Sequence, residues 1–190
     1  MIVKTLTVDK LKQNINELIE NIAEKPQVIV GVLNGAKTLL EEFKKSEKYA
    51  QSQFVEVKLQ RKSERIKRNN FTTTLLKKLP YFVLDELRKI ESKRAASQIK
   101  NIKLSELSSL VLPIEGLPNR DLHNILILDD ALDTGKTMYV IKSQLHEKYP
   151  NAKITTAVIA WTIEQSIVQP DYYIYKNTLV RYPWSKDYKI

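Results

Sequence analysis

The 190-residue sequence has no cysteine, two histidines and only four glycines. Without cysteine, disulfide scaffolds, zinc ribbons and thiol catalysis are excluded together. With His123 and His146 as the only imidazoles, a His-rich catalytic metal site is not expected. Few glycines, seven prolines and 43% hydrophobic residues exclude collagen-like, low-complexity and broadly disordered chains. Apolar runs such as Val28–Leu33 are far too short to span a bilayer, so no membrane partner is expected. Asp9 stands where a signal peptide would keep its apolar core, which predicts a cytoplasmic location.

The length suits a single domain over residues 1–190 that carries one sizeable insertion. The net charge is +9, and it is concentrated. Between Lys58 and Lys103 there are fourteen basic residues against four acidic ones, densest at Arg61–Arg68. Such a block suits a nucleic-acid patch, a screen for an anionic small ligand, or a solvated loop. Between Arg61 and Asn70 there is no aromatic residue for base stacking, so nucleic acid is not the expected partner.

Residues 9–24 place Leu11, Ile15, Leu18, Ile19 and Ile22 on one face and predict a helix ended by Lys25-Pro26. Val28–Leu33 reads as a strand buried on both faces, and Asn34-Gly35 as a turn into a helix over 36–43. A second strand is expected around 54–59. Leu79, Phe82, Val83, Leu87 and Ile90 share a helical face that reads as ordinary core packing, with Asp85 and Lys89 as an i, i+4 pair. Strands follow at 125–128, 154–161 and 172–175, with a short last one at Leu179-Val180 and a helix over 136–148. Strands alternating with helices predict an α/β fold, a doubly wound and mostly parallel five-stranded sheet. Ligands then gather beyond the carboxyl ends of its central strands, here 28–33 and 125–128.

Ile125 to Thr137 joins a buried strand, two acids and a turn, Asp133-Thr134-Gly135-Lys136-Thr137, into a helix. Backbone N–H groups at the helix start, with the Thr134 and Thr137 hydroxyls, suit a phosphate. Asp129 and Asp130 suit ribose hydroxyls or Mg²⁺. Gly135-Lys136-Thr137 does not complete a nucleotide-triphosphate loop, because Asp130 occupies the position that needs glycine.

This thirteen-residue segment closely resembles the ribose-phosphate signature of type I phosphoribosyltransferases. The resemblance implies that residues 133–137, Lys136 included, hold the 5-phosphate of phosphoribosyl diphosphate. It implies that Asp129 and Asp130 meet the ribose hydroxyls and the metal, that Mg²⁺ is the cofactor, and that Asp133 accepts or relays a proton of the base. The stretch from Val28 to Phe43 is similar to the pyrophosphate loop of hypoxanthine-type members, with Asn34, Gly35 and Lys37 at the pyrophosphate. Gln169 to Trp184 resembles the hood of xanthine–guanine enzymes, built from residues 1–10 and 171–190. Leu179 there matches the aromatic that stacks on the base, and Val180 the residue whose backbone reads it. Trp161 aligns with the lysine that meets a 6-oxo group.

The resemblance thus implies transfer of phosphoribose from phosphoribosyl diphosphate to a nitrogenous, purine-like base, with release of pyrophosphate, as in nucleotide salvage. A homodimer or homo-oligomer is the expected assembly. The alternative is a non-catalytic sensor of phosphoribosyl diphosphate or nucleotide that binds RNA through 61–68. The insertion at about 60–118 matches no known element.

Overall fold

The computed structural model describes residues 1–33, 35–58 and 79–189, in which the side chain of Lys58 is not included. Asn34 and the basic segment 61–68, through which the alternative reading binds RNA, lie outside the described residues. In chain order the elements are β1 (Ile2–Thr5), α1 (Val8–Asn21), β2 (Val28–Leu33), α2 (Lys37–Lys45), β3 (Gln53–Lys58) and α3 (Tyr81–Gln98). Then come α4 (Leu104–Ser108), β4 (Asn124–Leu132), α5 (Lys136–Lys148), β5 (Lys153–Trp161), β6 (Tyr172–Lys176) and β7 (Thr178–Arg181).

Five strands form a wholly parallel sheet in the order β3-β2-β4-β5-β6. The uninterrupted apolar runs of β2 and β4 follow from burial on both faces. Ile29, Leu126 and Leu128 pack on the side of α1 and α2, against residues such as Ile15, Leu18 and Phe43. Val28, Val30, Ile125 and Ile127 point the other way, to Met138, Ile141 and Leu145 of α5. Helix α1 starts where Thr7 caps it, its hydroxyl accepting from the Lys10 N–H at 3.2 Å.

Strands β2 and β4 are neighbours, with Val28 opposite Ile125 and Gly31 opposite Leu128. From β2 the chain steps outward to β3, and from β4 it steps outward the opposite way to β5 and β6. Strand order therefore reverses between β2 and β4, and the crevice beyond their carboxyl ends is where such sheets hold ligands. Strand β1, absent from the sequence-based expectation, pairs with β7 in a separate two-stranded parallel sheet that places Val3 opposite Leu179 and Lys4 opposite Val180. Strand β6 joins the main sheet.

Helix α3 corrects the expected packing. Its inward stripe carries Tyr81, Leu84, Asp85, Arg88, Ser92 and Ala95, while Phe82 is 71% exposed and Leu87 and Ile90 are also exposed. The reason is electrostatic: Asp85 pairs with Arg181 at 2.6 Å rather than with Lys89, and Lys89 pairs with Glu86. Strand β4 also runs four residues past Leu128, so Asp129 and Asp130 lie within it.

Candidate active site

The turn after β4 is shaped by Gly135, whose φ of 81° is left-handed. A Cβ there would also lie 3.0 Å from the Val168 backbone nitrogen. Gly135 caps α5 without a side-chain hydrogen bond, so the first N–H groups of that helix are available to an anion. The loop after β5 buttresses the turn, with the Ile167 N–H donating to Thr134 O at 3.0 Å. A cavity of about 110 Å³ lies here, walled by Asp129, Asp133, Thr134, Gly135, Lys136 and Thr137.

Asp130 is held from several directions. Its N–H donates to Asp129 Oδ1 at 2.8 Å, and the Tyr182 hydroxyl donates to its carbonyl at 2.6 Å. Tyr182 stacks on Trp184, with ring centres 4.9 Å apart. Gly35, at the end of the loop after β2, lies against the same side chain: a Cβ on it would fall 2.1 Å from Asp130 Oδ1. Enclosure pushes the Asp130 carboxyl above its ordinary range; hydrogen bonds with Asp129, Ala131 and Trp184 oppose this, and the nearby Asp133 adds to the rise. The close contact joins the post-β2 loop to the acids of β4. Lys37, the first residue of α2, is exposed.

Among the described residues no three His, Cys, Asp or Glu side chains converge as a ready-made metal cage. Mg²⁺ keeps several waters and takes substrate phosphate oxygens beside one or two carboxylates. The oxygen donors of the adjacent Asp129 and Asp130 fit that habit.

A second cavity, of about 300 Å³, shares Ala131 and Asp133 with the first. Leu179 and Val180 of β7 wall it on one side, held there by pairing with β1. At the end of β5, the Thr162 hydroxyl donates to Asp133 Oδ1 and lies 2.8 Å from Leu132 O.

Trp161 does not line this cavity, which corrects its assignment to base binding. Successive strand side chains point to opposite faces, so a cavity-facing Thr162 sends Trp161 into the core on the α5 side. Its indole N–H has Ile163 O and Ser166 Oγ at 2.9 Å, and Tyr173 meets it edge-on.

The remaining wall comes from α3, through Arg88, Glu91, Ser92 and Ala95. Arg88 donates to both Asp187 oxygens, at 2.8 and 2.6 Å, and to Val180 O at 3.3 Å. Arg181, 1% exposed, donates to Asp187, Asp85 and Thr5 and lies 4.3 Å from the centre of the Tyr81 ring. Burial alone would raise the Asp187 carboxyl, but the two guanidinium groups outweigh it and hold it at about 2. This ion-pair cluster docks α3 over the cavity. Arg88, Glu91, Ser92 and Thr162 escaped the sequence reading. The available signal on α3 was the polar spacing of Asp85, Arg88 and Ser92 on one face, which the apolar residues opposite outshone.

A search of curated proteins returns no match to the sequence. Among solved structures, a purine phosphoribosyltransferase from Pyrococcus horikoshii is 19% identical, covers 100% of this chain and 97% of its own, and superposes with a TM-score of 0.59. The xanthine-guanine-hypoxanthine phosphoribosyltransferase of Helicobacter pylori is 14% identical over 96% of this chain and 93% of its own, with a TM-score of 0.58. A hypoxanthine-guanine phosphoribosyltransferase from Bacillus anthracis is 14% identical over 93% of this chain and 83% of its own, at 0.55. At these identities the likeness is one of fold. The family model for the phosphoribosyl transferase domain matches residues 4–187, and the chain belongs to that family.

Proposed function

We propose that this phosphoribosyltransferase moves the 5-phosphoribosyl group of phosphoribosyl diphosphate onto a ring nitrogen of a purine-like base and releases pyrophosphate. The observation that carries the residue assignment is that Asp133 walls both cavities: one suits a phosphate, and the larger is of the size small planar ligands occupy.

The turn 133–137 binds the 5-phosphate through the N–H groups of α5 and the two threonine hydroxyls. Asp129 and Asp130 accept from the ribose hydroxyls and would hold Mg²⁺. When bound, that ion draws negative charge from the leaving diphosphate. Gly35 and Lys37 belong at the diphosphate end, together with Asn34. Leu179 and Val180 wall the acceptor. The bond from C1 of the ribose to the diphosphate oxygen breaks as the base nitrogen bonds to C1, through an oxocarbenium-like transition state. The proton on that nitrogen passes to Asp133. The Thr162 hydroxyl holds one oxygen of that carboxylate, which orients the other toward the proton and adds a positioning role to general-base catalysis.

No helix among the described residues is long and apolar enough to cross a membrane. This fits a role in nucleobase salvage in the cytoplasm, with a homo-oligomer as the proposed assembly.

The test is incubation with phosphoribosyl diphosphate, Mg²⁺ and a panel of nucleobases, following pyrophosphate. Base-dependent release that Asp133→Asn slows by about 10²-fold or more supports the assignment. Release that is independent of base, or absent with every base, refutes it.

A further inference from the structure

Ser92 lies mid-way along α3 and is 7% exposed, and its Oγ has no hydrogen-bond partner among the described residues. A helical serine ordinarily bonds to a carbonyl of the preceding turn. Ser97 does so on the same helix, to Arg94 O at 2.8 Å, and Ser108 of α4 does so to Leu104 O. Ser92 instead borders the 300 Å³ cavity. A buried hydroxyl without a partner is costly, and a partner arriving with the substrate removes that cost.

The rest of the cavity wall says what kind of partner. Its polar groups are mainly acceptors. Asp133 and Glu91 are carboxylates, and the Thr162 hydroxyl already directs its proton to Leu132 O or Asp133. The single cationic side chain among the described residues of the wall, Arg88, is neutralised by Asp187, and three of its N–H groups are engaged by Asp187 and Val180 O. Among the described residues no lysine borders the cavity, and Trp161 of the neighbouring strand points elsewhere. Acceptors surround the site, one hydroxyl that can donate or accept is unpartnered, and the nearby positive charge is cancelled.

Resting on the proposed acceptor site, we infer that α3 reads the acceptor base: Ser92 binds the ring nitrogen beside position 6, Glu91 is the specificity-determining residue, and the cavity takes a neutral purine with a 6-amino group in preference to a 6-oxo or anionic one. A 6-amino group donates to Glu91, Asp133 being engaged at the nitrogen that bonds to C1, while the adjacent ring nitrogen accepts from Ser92 Oγ. A 6-oxopurine presents an oxygen where acceptors already stand, and carries a proton on the neighbouring nitrogen. One mismatched polar pair of this kind lowers efficiency by about 10- to 100-fold.

The experiment compares matched pairs that differ at position 6 alone, adenine with hypoxanthine and 2,6-diaminopurine with guanine. It uses the full chain with phosphoribosyl diphosphate and Mg²⁺, and donor binding is measured separately by calorimetry without base. The expected kcat/KM ratio favours the 6-amino member of each pair by about tenfold or more. Ser92→Ala should raise KM for both members of each pair while donor binding stays unchanged, and Glu91→Gln should narrow the ratio from the 6-oxo side. If the donor binds and the 6-oxo members turn over as well or better, the inference is wrong and the phosphoribosyl transfer assignment stands. An unchanged KM for the base in Ser92→Ala equally removes Ser92 from the acceptor site, and an unchanged ratio in Glu91→Gln removes Glu91 as the determinant. Failure of the donor to bind at all would overturn both.

Discussion

Arg181 Nε donates to Asp187 Oδ2 at 2.9 Å across a gap of only six residues, and the two side chains are 1% and 10% exposed. The contact closes the carboxyl-terminal tail onto β7. The same carboxylate receives Arg88 from α3, and the same guanidinium reaches Asp85 one turn before it. Two acids and two guanidinium groups thus balance in charge and tie three segments of chain together over the acceptor cavity.

Removing one member of such a buried cluster leaves the others uncompensated, which costs far more than the cluster contributes on balance. Asp187→Asn is therefore expected to destabilise the fold by about 3–5 kcal/mol, read by chemical denaturation. A loss below about 1 kcal/mol would mean that the guanidinium groups find other partners.

The same carboxyl sets an acid limit. Its value falls from the ordinary 3.8 to about 2 in the folded chain, so folding favours its ionised form. The stability this confers is complete above the unfolded value and is lost as pH falls through about 2. Thermal melts between pH 6 and pH 2 should show the gap between the wild type and Asp187→Asn narrowing below about pH 4. A constant gap would disprove the linkage.

Gly35 lies so close to Asp130 that a methyl group cannot be added without moving the carboxylate: the distance would be 2.1 Å. Gly35→Ala is expected to weaken donor binding by tenfold or more, about 1.4 kcal/mol, with little change in base selectivity. Calorimetric titration of the donor with Mg²⁺ measures it, and unaltered affinity would separate Gly35 from the donor site.

Asp133→Asn keeps the shape of the turn and removes the proton acceptor. Turnover should fall by about 10²–10⁴-fold while the donor dissociation constant stays within a few-fold. Normal turnover would assign the proton to another group.

Trp161→Ala should cost about 3–5 kcal/mol as a large core truncation, without shifting the preference between 6-amino and 6-oxo bases at temperatures where the variant is folded. A changed preference in a stable variant would return the indole to the acceptor site.

Periodicity alone determined much of this protein. The double-faced apolar strands 28–33 and 125–128 had to be central, since no surface strand tolerates such runs, and they are neighbours. The helix expected at 136–148 is α5 with the same ends. The order of acids, threonines and glycine from Asp129 to Thr137 marked out the proposed phosphate turn, because all its parts are local in sequence. The acceptor cavity was not legible in that way. Its walls come from α3, β4, the end of β5 and β7, joined by contacts between residues 88 and 187 or 5 and 181. Thr162 rather than Trp161 faces the cavity because a one-residue step on a strand reverses the face a side chain points to. Helix α3 turned its polar stripe inward because buried ion pairs with Arg181 and Asp187 outweighed the apolar face that its spacing advertised, and only the tertiary structure brings those partners within reach.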